Sequence, residues 1–231
     1  MIDLDSIELP LDGWSEAARE DDAVTWHNER GESLMLNVFH VMPDIPSMTD
    51  LEALRDRYRA ALGDQGGLVF VDVLEIAKLP AVRTLFKLGI PGQERGRVYL
   101  AGITLPFREA SLVVRVQCVE TGMTGIRETI VLNKLMGAGE KFAPDDEGVM
   151  QGWASDPYRP ETPFSSLLRN RADDERWDEL FPDHPLSRAR GYLRELVAEL
   201  EVDPRVYDEP PFSEPARSPL DRGRRGTRPL G

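Results

Sequence analysis

The chain has 231 residues, of which 41% are hydrophobic and 30% charged, and its formal net charge is −13. This composition is typical of one globular domain with extensions, long enough to bury a substantial core. An acidic body repels nucleic acid and anionic membranes, so neither is an expected partner of the folded part.

Cysteine usage and the chain start predict a cytoplasmic protein. Cys118 is the only cysteine, which excludes an internal disulfide and any multi-cysteine metal site. The start, MIDLDSIELP, lacks the charged and apolar regions of a secretory signal, and no apolar stretch approaches the ~20 residues of a membrane span. Arginine greatly outnumbers lysine, which is typical of a high-GC bacterial genome.

The N-terminal part predicts a hairpin followed by a helix. Residues 7–14 suit a short entering strand and a turn, and 23–29 and 33–40 suit two strands joined at a glycine-containing loop. The stripe of apolar residues from Leu51 to Leu62 predicts a helix that Thr49 or Asp50 caps.

Four β-rich segments then follow one another between residues 67 and 120. Their connections are too short for parallel crossovers, so the strands must pair antiparallel. A helix over 124–136 is expected next, with Ile126, Ile130 and Val131 facing inward. The predicted fold class is α+β: an α/β/α sandwich with a central, mostly antiparallel sheet of about six strands.

Beyond Gly137 the chain becomes poor in periodic apolar residues, so we divide it into a domain at 1–137, an extension at 138–207 and a tail. The extension carries isolated aromatics and predicts one further helix near 186–201 packed on the domain. Residues 208–231 are rich in Pro and charge and predict a disordered tail. Its arginines at 222–228 could touch RNA, anionic lipid or an acidic partner such as the protein's own body, but a solvated tail is favoured.

The order of elements in residues 1–137 resembles the PsbP-like superfamily, which includes Ran-binding Mog proteins and bacterial DcrB lipoproteins. The phrase LPLDGW and the passage from strand SLVVRVQCVE into a helix through Thr121-Gly122 carry this resemblance. It implies an α/β/α sandwich from a functionally diverse, largely non-catalytic family whose members bind partners or support assembly. Residues 138–231 fall outside it.

Candidate catalytic chemistry centres on His184, in the phrase FPDHPLSR. With Asp183 or Asp156 it could serve a small hydrolase or ligand-processing enzyme, and Ser187 lies nearby in sequence. The favoured interpretation is a structural turn in which His184 or Ser187 caps the following helix, since a Ser–His–Asp site is defined by geometry and not by adjacency.

Other motifs point to solvated surfaces. His27 and His40 with Glu29 could form a zinc site, but their spacing is not that of a metal motif. The sequence Arg127-Glu128-Thr129 could present a charged pair to a ligand, although a solvated helix face is favoured. Phosphate-binding glycine loops and calcium-loop patterns are absent from the sequence, so we expect neither cofactor nor metal.

The sequence therefore favours a non-enzymatic protein-binding domain of the adaptor, chaperone-like or immunity type. Its expected contacts are the isolated aromatics Trp153, Tyr158, Trp177 and Phe181, because aromatic side chains often anchor interfaces. The alternatives are the enzyme that uses His184 and a small-molecule carrier with a pocket between sheet and helix.

Overall fold

The computed structural model describes residues 2–93, 95–146 and 148–214. Its centre is a seven-stranded antiparallel sheet in the order β2-β3-β4-β8-β7-β6-β5, and β1 pairs with β9 in a separate two-stranded sheet. The strands are β1 (Ile7–Glu8), β2 (Trp14–Glu20), β3 (Ala23–Asn28), β4 (Ser33–Phe39), β5 (Gly66–Ile76), β6 (Leu79–Gly89), β7 (Arg97–Pro106), β8 (Ser111–Val119) and β9 (Glu201–Val202). The α-helices are α1 (Leu51–Leu62), α2 (Ile126–Gly137) and α3 (Pro185–Glu199). The α+β class with an antiparallel sheet is confirmed.

The four-strand block is present as β5 to β8, each strand paired with the next. The β5–β6 hairpin turns at Ala77 and Lys78, which have φ angles of 48° and 65°. A two-residue turn of this hand matches the twist of the flanking strands, and here it is made without glycine.

One face of the sheet is covered by α3, and we call it the α3 face. Apolar residues of β3, β4, β7 and β8 meet Leu186, Ala189, Leu193, Leu196 and Leu200 there in one buried cluster. The helix thus comes from the extension, and the extension completes the main core.

The opposite face is covered in part by α1, and we call it the α1 face. Leu54 of the helix is fully buried against Leu68, Val71, Val82 and Phe86. Asp50 caps α1 by accepting a hydrogen bond from the Ala53 amide at 3.1 Å, which confirms one of the two predicted caps.

The orientation predicted for α2 is confirmed at Val131 and wrong at Ile126 and Ile130. Val131 and Leu135 are buried together with Arg127, whereas Ile126 and Ile130 are 42% and 39% exposed. The inward stripe therefore starts at a charged residue, which buries its guanidinium among backbone carbonyls and acidic groups. The helix packs against the short helical turn Arg171–Asp173 and does not lie on a sheet face.

Strand β2 was missed, which is why about six strands were predicted instead of seven. Its sequence, WSEAARE, has no apolar alternation, and six of its seven residues are exposed. A strand at the edge of a sheet needs neither apolar face, and charged residues there discourage pairing with other chains.

The predicted tail begins too early. Pro211 forms a bridge with Phe107, Phe212 packs against the α1-face cluster, and the Glu214 carboxylate accepts a hydrogen bond from the Thr49 hydroxyl at 3.0 Å. Residues 208–214 thus contact the body through three residues of this polar segment. The rest of the predicted tail, including the arginines at 222–228, lies outside the described residues.

We expect Leu193→Ala to lower the free energy of unfolding by about 2–5 kcal/mol, because it leaves a cavity between α3 and the sheet. Arg194→Ala is the matched control on the same helix, since Arg194 is exposed and pairs only with exposed Glu175. Its expected effect is below about 1 kcal/mol. Urea unfolding measures both, and equal effects would show that α3 is not part of the core.

Candidate functional site

His184 lies at the start of α3 and caps that helix. Its Nδ1 accepts a hydrogen bond from the Leu186 amide at 3.2 Å, and Pro185 occupies the first helical turn. The imidazole ring meets the Tyr99 ring edge-on, with centroids 5.6 Å apart. Only 11% of the side chain is exposed, so the residue predicted to cap the helix is also largely buried.

The acidic partners predicted for His184 are not beside it. Asp183 is directed outward and forms an ion pair with Arg30 at 2.8 Å, with 82% of its side chain exposed. Asp156 is buried beside α1, where Arg59 donates two hydrogen bonds to its carboxylate at 2.8 and 3.0 Å. The structure therefore does not bring Asp183 or Asp156 together with His184, because each carboxylate forms an ion pair with an arginine elsewhere.

Ser187 does not form a nucleophile–base pair with His184. Its hydroxyl donates to Asp178 at 3.1 Å and accepts from Arg127 at 2.7 Å. A serine held between a guanidinium and a carboxylate serves as a structural link. Cys118 is also unsuited to nucleophilic attack, because burial raises the pKa of its thiol.

The groups that do surround His184 are two glutamates which are distant in sequence. Ligand atoms of Glu120, Glu128 and His184 all lie within 4.8 Å of one another. Glu120 follows β8 and accepts a hydrogen bond from the Gly125 amide at 3.0 Å, and its Oε1 lies 4.0 Å from His184 Nε2. We call this set the Glu–Glu–His cluster.

An open cavity of about 370 Å³ borders the cluster. Glu120 and Glu128 form part of its wall, and Lys87, Trp153 and Asn170 contribute from the sheet and the extension. The cluster is therefore reachable from solvent on its glutamate side, whereas the His184 side chain is largely buried.

Electrostatics keep His184 neutral. Burial, together with the positive charge of Arg127, lowers the pKa of His184 to about 3. Burial and the neighbouring Glu128 charge raise the pKa of Glu120 above its usual value. The cluster thus holds an uncharged imidazole beside two carboxyl groups that repel each other.

Two buried cations lie behind the cluster, and each has a partner. Lys87 of β6 is 1% exposed and donates to Asp173 at 2.8 Å. Arg127 donates to the carbonyls of Ala172 and Asp174 and to Asp178. Buried charges need such pairing, and the partners of both cations are groups of the same chain.

Several buried polar atoms near the cluster have no hydrogen-bond partner among the described residues. They include the Tyr99 hydroxyl, Glu128 Oε2 and His184 Nε2. Tyr99 is fully buried, and burial together with the charges of Asp173 and Glu128 raises the pKa of its hydroxyl well above the usual value. Unpaired buried groups are costly, so this concentration indicates a place for a small ligand or ordered water.

The ring proton of His184 depends on its capping bond. Because Nδ1 accepts the Leu186 amide, the neutral ring carries its proton on Nε2, directed towards Glu120. A cation bound at Nε2 would move this proton to Nδ1 and break the capping bond, which for a typical N-cap costs about 1 kcal/mol.

The four aromatics predicted as partner contacts are half-buried and contact their own chain. Tyr158 accepts a hydrogen bond from the Val71 amide at 3.0 Å, and Trp177 donates to the Arg171 carbonyl at 3.1 Å. Trp153 packs edge-on against Phe142, and Phe181 lies under the Arg127 guanidinium. In this arrangement they attach the extension to the body.

His27 and His40 lie apart from each other at opposite ends of the hairpin. His27 is beside Ser33, and His40 contacts Asp22 at 3.0 Å. Within the described ranges they join no group of three metal-ligating side chains.

Sequence reasoning missed the Glu–Glu–His cluster because its members converge from separate elements. Glu128 carried a weak signal, since it opens α2 beside Arg127. Nothing in the sequence pairs it with His184, which lies on a helix of the extension. Only the packing of α2 against residues 171–180 and of α3 on the sheet brings them together.

The solution structure of cyanobacterial PsbP (CyanoP) from Synechocystis sp. PCC 6803 is similar to part of the chain. The match has 15% sequence identity and a TM-score of 0.35, and it covers 58% of this chain and 85% of the other. A similarity at this level carries no argument about function. No protein-family model and no curated protein sequence matches the chain.

We expect Asp173→Asn to lower the free energy of unfolding by about 3–5 kcal/mol, because it leaves Lys87 buried without a counter-charge. The double variant Lys87→Met, Asp173→Asn should lose less, since no unpaired charge remains. Urea unfolding of Asp173→Asn, Lys87→Met, the double variant and the parent measures the difference. A double variant as unstable as the sum of both single variants would contradict this explanation.

We also expect Asp156 to contribute to stability in a pH-dependent way. Burial would raise the pKa of Asp156, but Arg59 and the amides of Tyr158 and Arg159 outweigh it, so the pKa lies below its usual value. The stabilisation is therefore complete above the unfolded-state pKa of about 3.9 and is lost as the pH falls through the folded-state pKa.

Asp156→Asn tests this contribution. At pH 7 the variant should be less stable by about 1.5–3 kcal/mol, the range for hydrogen bonds to a charged group. Its stability should also fall less steeply than that of the parent between pH 4 and pH 2. Parallel curves of unfolding free energy against pH would exclude the assignment.

Proposed function

We propose that the protein is a non-enzymatic protein-binding domain, located in the cytoplasm, that docks a partner on the outer face of α2. The observation that carries the proposal is a row of exposed large apolar residues on this helix and in the loop immediately before it. Met123, Ile126 and Ile130 are 79%, 42% and 39% exposed. We call these three residues the α2 face.

The α2 face has the geometry of a contact surface. Ile126 and Ile130 are one turn apart on a helix and therefore lie side by side. The helix is fixed from beneath by buried Arg127, Val131 and Leu135, so its outer residues are held in place before any partner arrives. Such preorganisation lowers the entropy cost of association.

The surface charge indicates the kind of partner. The chain has a net charge of −13 at pH 7, so long-range attraction favours a basic protein that presents an apolar segment. A second copy of this acidic chain would be repelled. Within the described residues no helix is long and apolar enough to cross a membrane.

A binding role is better supported than catalysis. The residues proposed for a hydrolase are held apart, and the only cysteine is buried with a raised pKa. The four half-buried aromatics remain available as rim contacts, but their intramolecular bonds make the α2 face the better centre of an interface.

The test begins with affinity purification of the tagged protein from its own cells and identification of the protein that copurifies. The affinity of that purified partner for the chain is then measured. Ile126→Ser, Ile130→Ser should weaken the complex at least tenfold, because burying two apolar side chains contributes about 1.5–3 kcal/mol each. Val41→Ser, Met42→Ser is the matched control, since it removes exposed apolar residues, 64% and 49% exposed, at another site.

Loss of the complex with the first variant and its retention with the control would support the proposal. A complex that survives both double variants would reject the α2 face. Light scattering could instead show that the chain associates with itself and that Ile126→Ser, Ile130→Ser abolishes this association. That result would identify the α2 face as a contact surface but would overturn the proposed basic partner.

A further inference from the structure

The Glu–Glu–His cluster has the ligand set of a metal site. We propose that Glu120, Glu128 and His184 bind one divalent transition-metal ion of the zinc class, with water completing its coordination. The three groups come from the end of β8, the first turn of α2 and the start of α3, so the ion would join three parts of the fold. This site is independent of the proposed partner.

The distances suit a single ion after a small contraction. All three ligand atoms lie within 4.8 Å of one another, and His184 Nε2 and Glu120 Oε1 are 4.0 Å apart. Ligands at about 2.0–2.2 Å from a tetrahedral zinc ion are separated by roughly 3.3–3.6 Å. Rotation of the two glutamate side chains, which face the open cavity, can supply the difference.

The unpaired atoms point independently to a ligand. Within the part of the chain that the structure describes, Glu128 Oε2 and His184 Nε2 are buried and have no hydrogen-bond partner, although each is a metal-ligating atom. The Tyr99 hydroxyl is fully buried, is also unpaired, and belongs to the ring that packs on His184. It can donate a hydrogen bond to a ligating carboxylate or to metal-bound water, as groups around metal ligands usually do.

The chemistry of the donors selects the metal. One imidazole with two carboxylates suits zinc or a neighbouring transition metal, whereas calcium and magnesium favour oxygen ligands alone. The charges of two carboxylates match that of a divalent ion. The bound ion would offset the repulsion between Glu120 and Glu128. Lys87 and Arg127 form their ion pairs with Asp173 and Asp178 and not with the two glutamates.

Metal binding has a structural signature at Leu186. Coordination by His184 Nε2 moves the ring proton to Nδ1, which then no longer accepts the Leu186 amide. We therefore expect hydrogen exchange of that amide to accelerate when zinc is added, while the other amides of α3 are unchanged or slowed. A merely adventitious ion on surface carboxylates would leave Leu186 unaffected.

The experiment is calorimetric titration of the chelator-treated full chain with zinc chloride and, separately, magnesium chloride. We expect one zinc per chain and at least hundredfold weaker magnesium binding. Glu128→Gln and His184→Asn should each weaken zinc at least tenfold. Asparagine is a favoured helix cap, so His184→Asn keeps the capping acceptor while removing the ligand.

Glu161→Gln, which changes an exposed glutamate away from the cluster, is the control and should bind as the parent does. Thermal unfolding of each metal-free variant verifies that it is folded. Absence of zinc binding by the parent would overturn the proposal and assign the unpaired atoms to ordered water. Binding that neither site variant weakens would overturn it as well.

Discussion

Arg127 is the residue on which the arrangement of the molecule depends. It is 1% exposed and projects from α2 into a shell of acceptors on the extension: Ala172, Asp174, Asp178 and Ser187. Arg190 of α3 also donates to Asp178 and to the Asp173 carbonyl. One guanidinium thus determines where α2, the turns at 171–180 and α3 lie relative to one another.

This network explains why the buried face of α2 has so few apolar residues. A charged side chain in the interior requires several hydrogen bonds, and its removal would leave acceptors without donors. Lys87 and Asp173 extend the same network to β6 of the sheet. The Glu–Glu–His cluster borders this network, since Glu128 follows Arg127 on α2 and His184 immediately precedes α3.

Periodicity predicted the parts of the fold in which apolar residues alone decide the packing. The strands β5 to β8 and the helices α1 and α3 follow from alternation, helical stripes and caps. It failed for α2, where Ile126 and Ile130 form a plausible inward stripe but Arg127 takes the inner face. It failed for β2 because a polar edge strand has no apolar signal.

The site was predictable only in one residue. His184 stood out because Pro182 and Pro185 restrict the backbone around it. Its capping role could be predicted from its place just before the helical stripe. Its true neighbours could not, because Glu120 and Glu128 reach it through tertiary packing that no local pattern encodes. The four isolated aromatics of the extension illustrate the same limit. Their pattern indicated that they contact a surface, but not whether that surface belongs to another protein or to this chain.

The pairing of β1 with β9 closes the chain on itself. Ile7 pairs with Val202, and the Asp203 amide donates to the Ser6 carbonyl at 3.1 Å. During synthesis the α3 face of the sheet therefore stays uncovered until α3 and β9 have left the ribosome, since nothing earlier in the chain replaces them. Contacts so distant in sequence make folding slow, and a nascent chain with an open apolar sheet is prone to aggregation. The N-terminal strands are therefore protected only after synthesis has passed residue 202.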